Sequence, residues 1–235
     1  MGPESPALKD AHRLLGNCVL FSGLSAEERA AIAAQARIRN FEAGETVFNL
    51  GSPGDHMMAV LSGTIRISVP SPDGKELVLT IIQPGEVFGE LAVLDGKERS
   101  ADAIAENACT LAMLYRSDVL SFFQRNPSAW LKLVEVLCQR LRRTDQAFVE
   151  VALLQLPVRL AKMMLRLVEV RTNSTPATAA KIHFSQRELA NMVGGARESV
   201  NRCLRNWQHR GIVQISEGSI VVINQDALED IAEPI

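Results

Sequence analysis

At 235 residues, 47% of them hydrophobic and 22% charged, the chain has the length and apolar content for one or two ordinary globular domains with real cores. The formal net charge of −2 argues neither for nor against nucleic acid. The scattered Cys18, Cys109, Cys138 and Cys203 form no C-x-x-C pair, which excludes the usual zinc and iron–sulfur spacings and any disulfide framework. No apolar run is long enough to cross a bilayer, and the first 25 residues lack a basic start followed by an apolar core, so a soluble cytoplasmic protein is expected.

Residues 6–21 read as a short helical lead-in. Ser25 with Glu28 is a capping box that starts an alanine-rich helix running to Ala36. From Ile38 the period changes. Phe41, Val47-Phe48, 57–61, 65–69, 77–82, Val87-Phe88, 101–105 and 110–115 are short apolar segments. They are separated by Ala43-Gly44, the turn at 51–54, Ser62-Gly63, Pro72-Asp-Gly74 and Gln83-Pro-Gly85. Short strands with this punctuation predict an antiparallel sandwich or barrel. Ser117 and Asp118 are expected to cap a small helix over 119–125.

One segment, 84–102, breaks the rhythm. Gly89 permits close backbone approach, and Glu90-Leu-Ala-Val-Leu-Asp95 can make a helical turn whose unpaired N–H groups suit an anion. Arg99 offers a planar fork for phosphate oxygens and Ser100 a hydroxyl donor. An ionised Glu90 only accepts, so it suits a sugar hydroxyl. The residues describe a pocket for a phosphate joined to a ribose; the bland alternative is a Glu90–Arg99 ion pair in an empty or repurposed pocket.

Residues 128–155 contain no Gly or Pro and are bracketed by Pro127 and Pro157. Proline fits a first helical turn and breaks an interior, so one helix of about 28 residues is expected, about 42 Å long. Trp130, Val134, Leu137, Leu141, Phe148 and Val151, with Thr144 keeping the step, form a heptad seam. A homodimer contact along it is expected; a long core helix of a monomer is the alternative.

Beyond Pro157 the charge balance turns. From Leu156 onward ten Lys/Arg face eight Asp/Glu, and between Lys181 and Gly211 six face two, a weak footprint for nucleic acid. Residues 158–169 read as a one-sided helix, 171–180 as a polar linker and 181–184 as a short strand. Ser185 and Glu188 make a second capping box for a helix through Val193; Gly194-Gly195 stop it, and 196–208 begins another. Two short helices across a glycine turn are a helix-turn-helix, and 212–215 with 219–223 form a hairpin wing. The second helix presents Arg197, Glu198, Ser199, Asn201 and Arg202. Arginine can bond guanine O6 and N7, and glutamate can accept from cytosine N4. Gln186 and Lys181 are candidates for phosphate-backbone contact, and a solvated charged face is the plain alternative.

The motif F-G-E-L-x-x-L, followed after a loop by R-S-A, within a turn-punctuated β-roll resembles the phosphate-binding cassette of cyclic-nucleotide-binding domains. The order β-roll, long helix and C-terminal DNA-binding module resembles the bacterial CRP/FNR transcription regulators over nearly the whole chain. The resemblance implies an α+β fold divided as a β-roll over 1–126, a dimerisation helix over 127–155 and a winged helix-turn-helix over 156–235. In the cyclic-AMP receptor proteins of that family the cassette Glu holds the ribose 2′-hydroxyl and the Arg and Ser hold the cyclic phosphate. By motif match these are Glu90, Arg99 and Ser100, with Gly89 and Leu91 lending backbone contacts. The family's Thr-Ser pair against adenine, its second member reaching across from the partner subunit, becomes Thr144-Asp145 here. The loop from Glu90 to Arg99 is also one residue shorter than in the best-known member, so base identity stays open between cyclic AMP and other nucleotides.

R-E-[ST]-V-x-R resembles the family's recognition helix, which assigns reading of a G-T-G-A core to Arg197, Glu198 and Arg202. In a homodimer the two recognition helices are expected to enter successive major grooves of double-stranded DNA about 34–36 Å apart, hence a near-palindromic operator. A hinge around Leu156-Pro157 is expected to re-aim the DNA-binding modules, and the resemblance adds RNA polymerase as a partner. A lone Cys18 does not match the oxygen-sensing members, and His12, His56, His183 and His209 sit in unrelated places, so neither an iron–sulfur cluster nor haem is expected. No H-E-x-x-H, Walker loop or paired catalytic carboxylates point to an enzyme. The alternatives are the same DNA-binding regulator with another effector or none, and a cyclic-nucleotide-sensing module of another protein.

Overall fold

Short apolar segments between turn residues become eight strands in the first of two units into which the chain divides, Met1–Leu141 and Arg142–Ile235. The computed structural model describes residues 18–21, 24–71, 76–172, 181–182, 186–216 and 219–233, and counts below refer to these. Most of the lead-in helix, the turn at Pro72-Asp-Gly74, most of the polar linker, the Ser185 cap and the tip of the wing lie outside the described residues, as do His12 and His183.

In the first unit, β1 (Arg37–Phe41), β8 (Cys109–Tyr115), β3 (His56–Ser62) and β6 (Val87–Phe88) form one antiparallel sheet in that order. β2 (Thr46–Phe48), β7 (Asp102–Ala105), β4 (Ile65–Pro70) and β5 (Glu76–Ile82) form the other. Phe41, Met58, Val60, Ile65, Phe88, Ala103 and Leu111 fill the space between them. The first sheet is covered on its other face too, where Met57, Ala59, Leu61, Ala112 and Leu114 meet a layer of helices. Burial on both sides explains why β3 reads as a continuous apolar run, Met57-Met-Ala-Val-Leu61, and not as an alternation.

That layer begins with α1 (Ala26–Ala33), which carries the expected capping box: Glu28 N–H donates to Ser25 Oγ at 3.2 Å and Ser25 N–H to Glu28 Oε2 at 2.6 Å. After α2 (Glu90–Asp95) comes α3 (Arg116–Arg125), which starts straight out of β8. Ser117 and Asp118 sit inside its first turn and do not cap it; Arg116 N–H instead donates to the Asp55 carbonyl at 2.7 Å.

The long helix α4 (Pro127–Leu153) is 27 residues, with proline at its first position. It has two apolar faces. Ala129 and Leu133 are buried in the helical layer, Leu137 packs partly against it, and Trp130 stacks on Phe123 with centroids 4.5 Å apart. Val134, Leu141, Phe148 and Val151 remain exposed, Phe148 at 74%. Leu137, expected in the seam, is half-buried and packs partly against the roll's own core.

The second unit contains α5 (Leu156–Thr172), β9 (Lys181–Ile182), α6 (Gln186–Val193), α7 (Arg197–His209), β10 (Val213–Ser216), β11 (Ser219–Val222) and α8 (Gln225–Ala232). The strands form one antiparallel sheet, β10-β11-β9. Leu160, Met164, Leu189, Val200, Leu204, Trp207 and Leu228 are buried. α8 has no counterpart in the sequence reading; Asn224 caps it by accepting from Ala227 N–H at 3.0 Å. No described helix is long and apolar enough to cross a membrane.

Candidate functional site

Gly89 closes β6 with φ +73° and ψ 9°, a left-handed conformation that costs glycine little. A Cβ there would lie 2.6 Å from Arg99 Nη1, so the close approach also requires glycine. The residue after it, Glu90, opens the six-residue helix α2 with its side chain turned inward and only 2% of the residue exposed. Arg99 returns to the same place from the loop after α2 and is equally buried.

These two charges do not pair with each other. Arg99 Nη1 donates to the Gly89 carbonyl at 2.8 Å and Nη2 to the His56 carbonyl at 2.7 Å. Its guanidinium lies over the Phe48 ring at 4.2 Å, and its buried Nε has no acceptor. The Arg99 backbone is held as firmly: its N–H donates to the Ser52 carbonyl at 2.9 Å and its carbonyl accepts from Gly51 at 2.8 Å. Burial pulls the guanidinium's pKa below its ordinary value, with Asp55 and Glu90 pulling back.

Glu90 instead accepts from Arg140, whose Nη1 lies 2.5 Å from Glu90 Oε1 and whose Nη2 donates to the Val87 carbonyl. Arg140 stands on α4, so the long helix reaches the cassette through a charge that sequence reasoning missed. Its spacing from Leu133 and Leu137, on the stripe facing the roll, was the available signal. Ser100 is exposed beside Arg99, and the Leu91 side chain is 49% exposed. Thr144 and Asp145 are exposed on the part of α4 that belongs to the second unit, whereas the cassette belongs to the first. His56 makes a 2.6 Å contact with Asp55 through Nδ1, and among the described residues no three His, Cys, Asp or Glu side chains cluster to hold a metal.

In the second unit the turn between α6 and α7 is tight. Gly195 N–H donates to the Ala190 carbonyl at 3.0 Å, and a Cβ on Gly195 would lie 2.8 Å from Leu156 Cδ1. Val200, Leu204 and Trp207 bury the inner face of α7, which leaves Arg197, Glu198 and Arg202 exposed on its outer side and Ser199 half-buried. Asn201, expected to be exposed, is half-buried, and its Oδ1 is enclosed without a donor. Arg205, one turn beyond Arg202, extends the exposed basic face and was not singled out from sequence. Gln186, the first residue of α6, is half-buried; Lys181 pairs with Val221 through β9, and its side chain lies outside the described residues.

Known proteins place these two sites in one context. The family model for the cyclic nucleotide-binding domain matches residues 38–126, and that for the Crp-like helix-turn-helix domain matches 158–231. A CRP-like cAMP-activated global transcriptional regulator of Mycobacterium tuberculosis is 31% identical over 216 residues, covering 92% of this chain and 96% of that protein. A cyclic AMP receptor protein of Thermus thermophilus is 32% identical over 213 residues, covering 91% and 96%. A solved CRP/FNR-family transcriptional regulator of Thermus thermophilus superposes with a TM-score of 0.73 at 27% identity, covering 84% of this chain and 99% of its own.

Proposed function

The chain belongs to the CRP/FNR family of transcription regulators, which are not enzymes, and on that premise we propose a homodimer that reads DNA under the control of a cyclic nucleotide. Its parts are a ligand-binding roll over 1–126, a dimerisation helix over 127–155 and a DNA-binding module over 156–235. The observation that carries this reading is the burial of Glu90 and Arg99 at 2% exposure each within one cassette, unpaired with each other. Burying a charge is costly unless counter-charges and hydrogen bonds compensate it; Glu90 has Arg140, whereas Arg99 meets two carbonyls and the Phe48 ring and its Nε still lacks an acceptor.

In this reading Arg99 and Ser100 hold the cyclic phosphate and Glu90 accepts from the ribose 2′-hydroxyl. Gly89 and Leu91 contribute backbone contacts, and Thr144 and Asp145 meet the base. Cyclic AMP is the first candidate, supported by the names of the relatives. A hydroxyl donor arriving at Glu90 competes with Arg140, which gives the ligand a direct purchase on the long helix. The apolar face of α4, exposed at Val134, Leu141, Phe148 and Val151, is where a second copy packs.

Two copies of α7 then enter successive major grooves about 34–36 Å apart, on a near-palindromic operator. Arg197, Glu198 and Arg202 read base edges, while Ser199, Gln186 and Lys181 serve the phosphate backbone. The ligand acts by favouring the DNA-competent arrangement. A regulator of this kind works in the cytoplasm and meets RNA polymerase there.

The test is calorimetric titration with cyclic AMP, cyclic GMP and linear AMP, with and without a palindromic duplex. A saturable heat with a cyclic nucleotide, and tighter operator binding in its presence, is the expected result. DNA binding that no nucleotide alters would leave the regulator with another effector or none.

A further inference from the structure

A second pair of ionisable groups, outside the cassette motif, stands against its buried arginine. The segment 54–56, which leads into β3, closes on Arg99. A Cβ on Gly54 would lie 3.4 Å from Arg99 Nε, and the His56 carbonyl accepts from Arg99 Nη2 at 2.7 Å. Asp55 lies between the two, with its Oδ1 2.6 Å from His56 Nδ1. Burial lowers the Arg99 pKa, and of the carboxylates that oppose this Asp55 outweighs Glu90. Asp55 is itself held below the usual carboxylate range, chiefly by its bond from His56.

An ionised carboxylate only accepts hydrogen bonds, so Asp55 fixes the His56 tautomer with a proton on Nδ1. Nε2 is then the atom that titrates, on a side chain 18% exposed and so open to exchange with water. The other charged and titratable neighbours come from three elements. Tyr115 of β8 lies 6.0 Å from the His56 ring, and the Arg37 guanidinium of β1 sits 4.8 Å from the centre of the same tyrosine ring. Arg116, which opens α3, donates its N–H to the Asp55 carbonyl at 2.7 Å and its Nε to the Val93 carbonyl at 2.7 Å. Of all these residue types only histidine changes charge between about pH 5 and 8.

We propose that Asp55 and His56 tune the charge Arg99 presents to the ligand phosphate, so that the site holds its anion more tightly when His56 is protonated. The proposal rests on the cyclic-nucleotide reading above. With His56 neutral, the Asp55 carboxylate competes with the phosphate for Arg99 and repels the anion. A protonated His56 cancels that charge. The gain in affinity is therefore complete below the histidine's titration and is lost as pH rises through it. A cyclic phosphodiester keeps one charge throughout, so the change belongs to the protein. By linkage the bound anion favours the protonated ring, and binding takes up a fraction of a proton. The Asp55 side chain is 71% exposed, and screening there limits the effect to about threefold in affinity. Both residues act through Arg99, as positioning residues.

Calorimetric titration of the full chain with cyclic AMP and cyclic GMP, without DNA, from about pH 5.5 to 8 tests this. The wild type should weaken about threefold across the window and show proton uptake in buffers of different ionisation enthalpy. His56→Gln should be flat near the wild type's alkaline affinity, and Asp55→Asn flat near its acid affinity. Both variants keep the backbone carbonyl of residue 56 that Arg99 bonds. Opposite displacements from two changes to one hydrogen bond are not what a packing defect produces. A flat wild type, or a slope retained by His56→Gln, overturns the proposal and leaves the ligand site standing. No heat from either nucleotide at any pH, with the chain folded, fails the nucleotide reading and takes the proposal with it.

Discussion

Arg140 on the long helix donates to the buried Glu90 carboxylate at 2.5 Å, and through its second nitrogen to the Val87 carbonyl. Arg140→Gln removes the charge that compensates Glu90. It is expected to cost about 1–3 kcal/mol in urea unfolding, below the range for fully buried pairs because the arginine side chain is 28% exposed. Glu90→Gln removes the charge and keeps the shape, so its loss should be smaller. Equal losses for the two variants would mean that packing, and not the uncompensated carboxylate, sets the cost.

Arg99→Leu tests the phosphate role. The substitution leaves the Gly89 and His56 carbonyls without their donor, so melting should fall modestly while the chain still unfolds cooperatively. Cyclic-nucleotide titration heats should vanish. A folded variant with unchanged heats would remove Arg99 from the ligand site.

Much of this was legible in the sequence because the signals were local. Turn residues at Gly44, Gly63 and Gln83-Pro-Gly85 mark strand ends whatever surrounds them, and the Ser25–Glu28 box lies within four residues. The cassette was legible because Gly89, Glu90, Arg99 and Ser100 keep a recognisable spacing. Arg140 was not, because a helix with two apolar faces shows one period: the stripe through Leu133, Leu137 and Arg140 is superposed on the one through Val134, Leu141 and Phe148. The Glu150–Arg166 link joins residues whose proximity depends on the angle between two helices, which no spacing encodes. α8 went unread although Asn224, Asp226 and Leu228 carry a cap, an acidic first turn and a buried apolar position.

Leu141→Glu tests the dimer. Leu141 is 61% exposed in the single chain, so the substitution leaves the fold of one copy intact and places like charges opposite each other in a paired seam. Light scattering should report a monomer for the variant and a dimer for the wild type. A variant that remains a dimer would move the interface off this face.

Burial raises the Cys18 thiol from its ordinary 9.0 to about 11, against the pull of the Leu20 and Phe21 backbone. The unfolded thiol therefore loses its proton first, and the folded chain binds more protons between those two values. Stability is fully present below about pH 9 and falls as pH rises towards 11. Urea midpoints followed across this window should fall more steeply for the wild type than for Cys18→Ala, which keeps the other thiols and lacks this one. Parallel slopes would show that Cys18 is not sealed in the core as described.

Arg197 separates base reading from simple attraction to DNA. It is the first residue of α7, exposed, in the position from which a recognition helix meets base edges, and Arg202 and Arg205 continue the basic face behind it. If Arg197 bonds a guanine edge, Arg197→Ala should cost about 1–3 kcal/mol on the operator and relax preference at one base pair, with the salt slope nearly unchanged. If it touches only phosphate, the loss should be uniform across sequences and the slope should drop by about one. Arg205→Ala supplies the contrast: lying a turn deeper along the helix, it is expected to behave as the phosphate contact. Operator and scrambled duplexes titrated at several salt concentrations distinguish the two patterns. The same behaviour for both arginines would remove the distinction drawn here between the start of the helix and its middle.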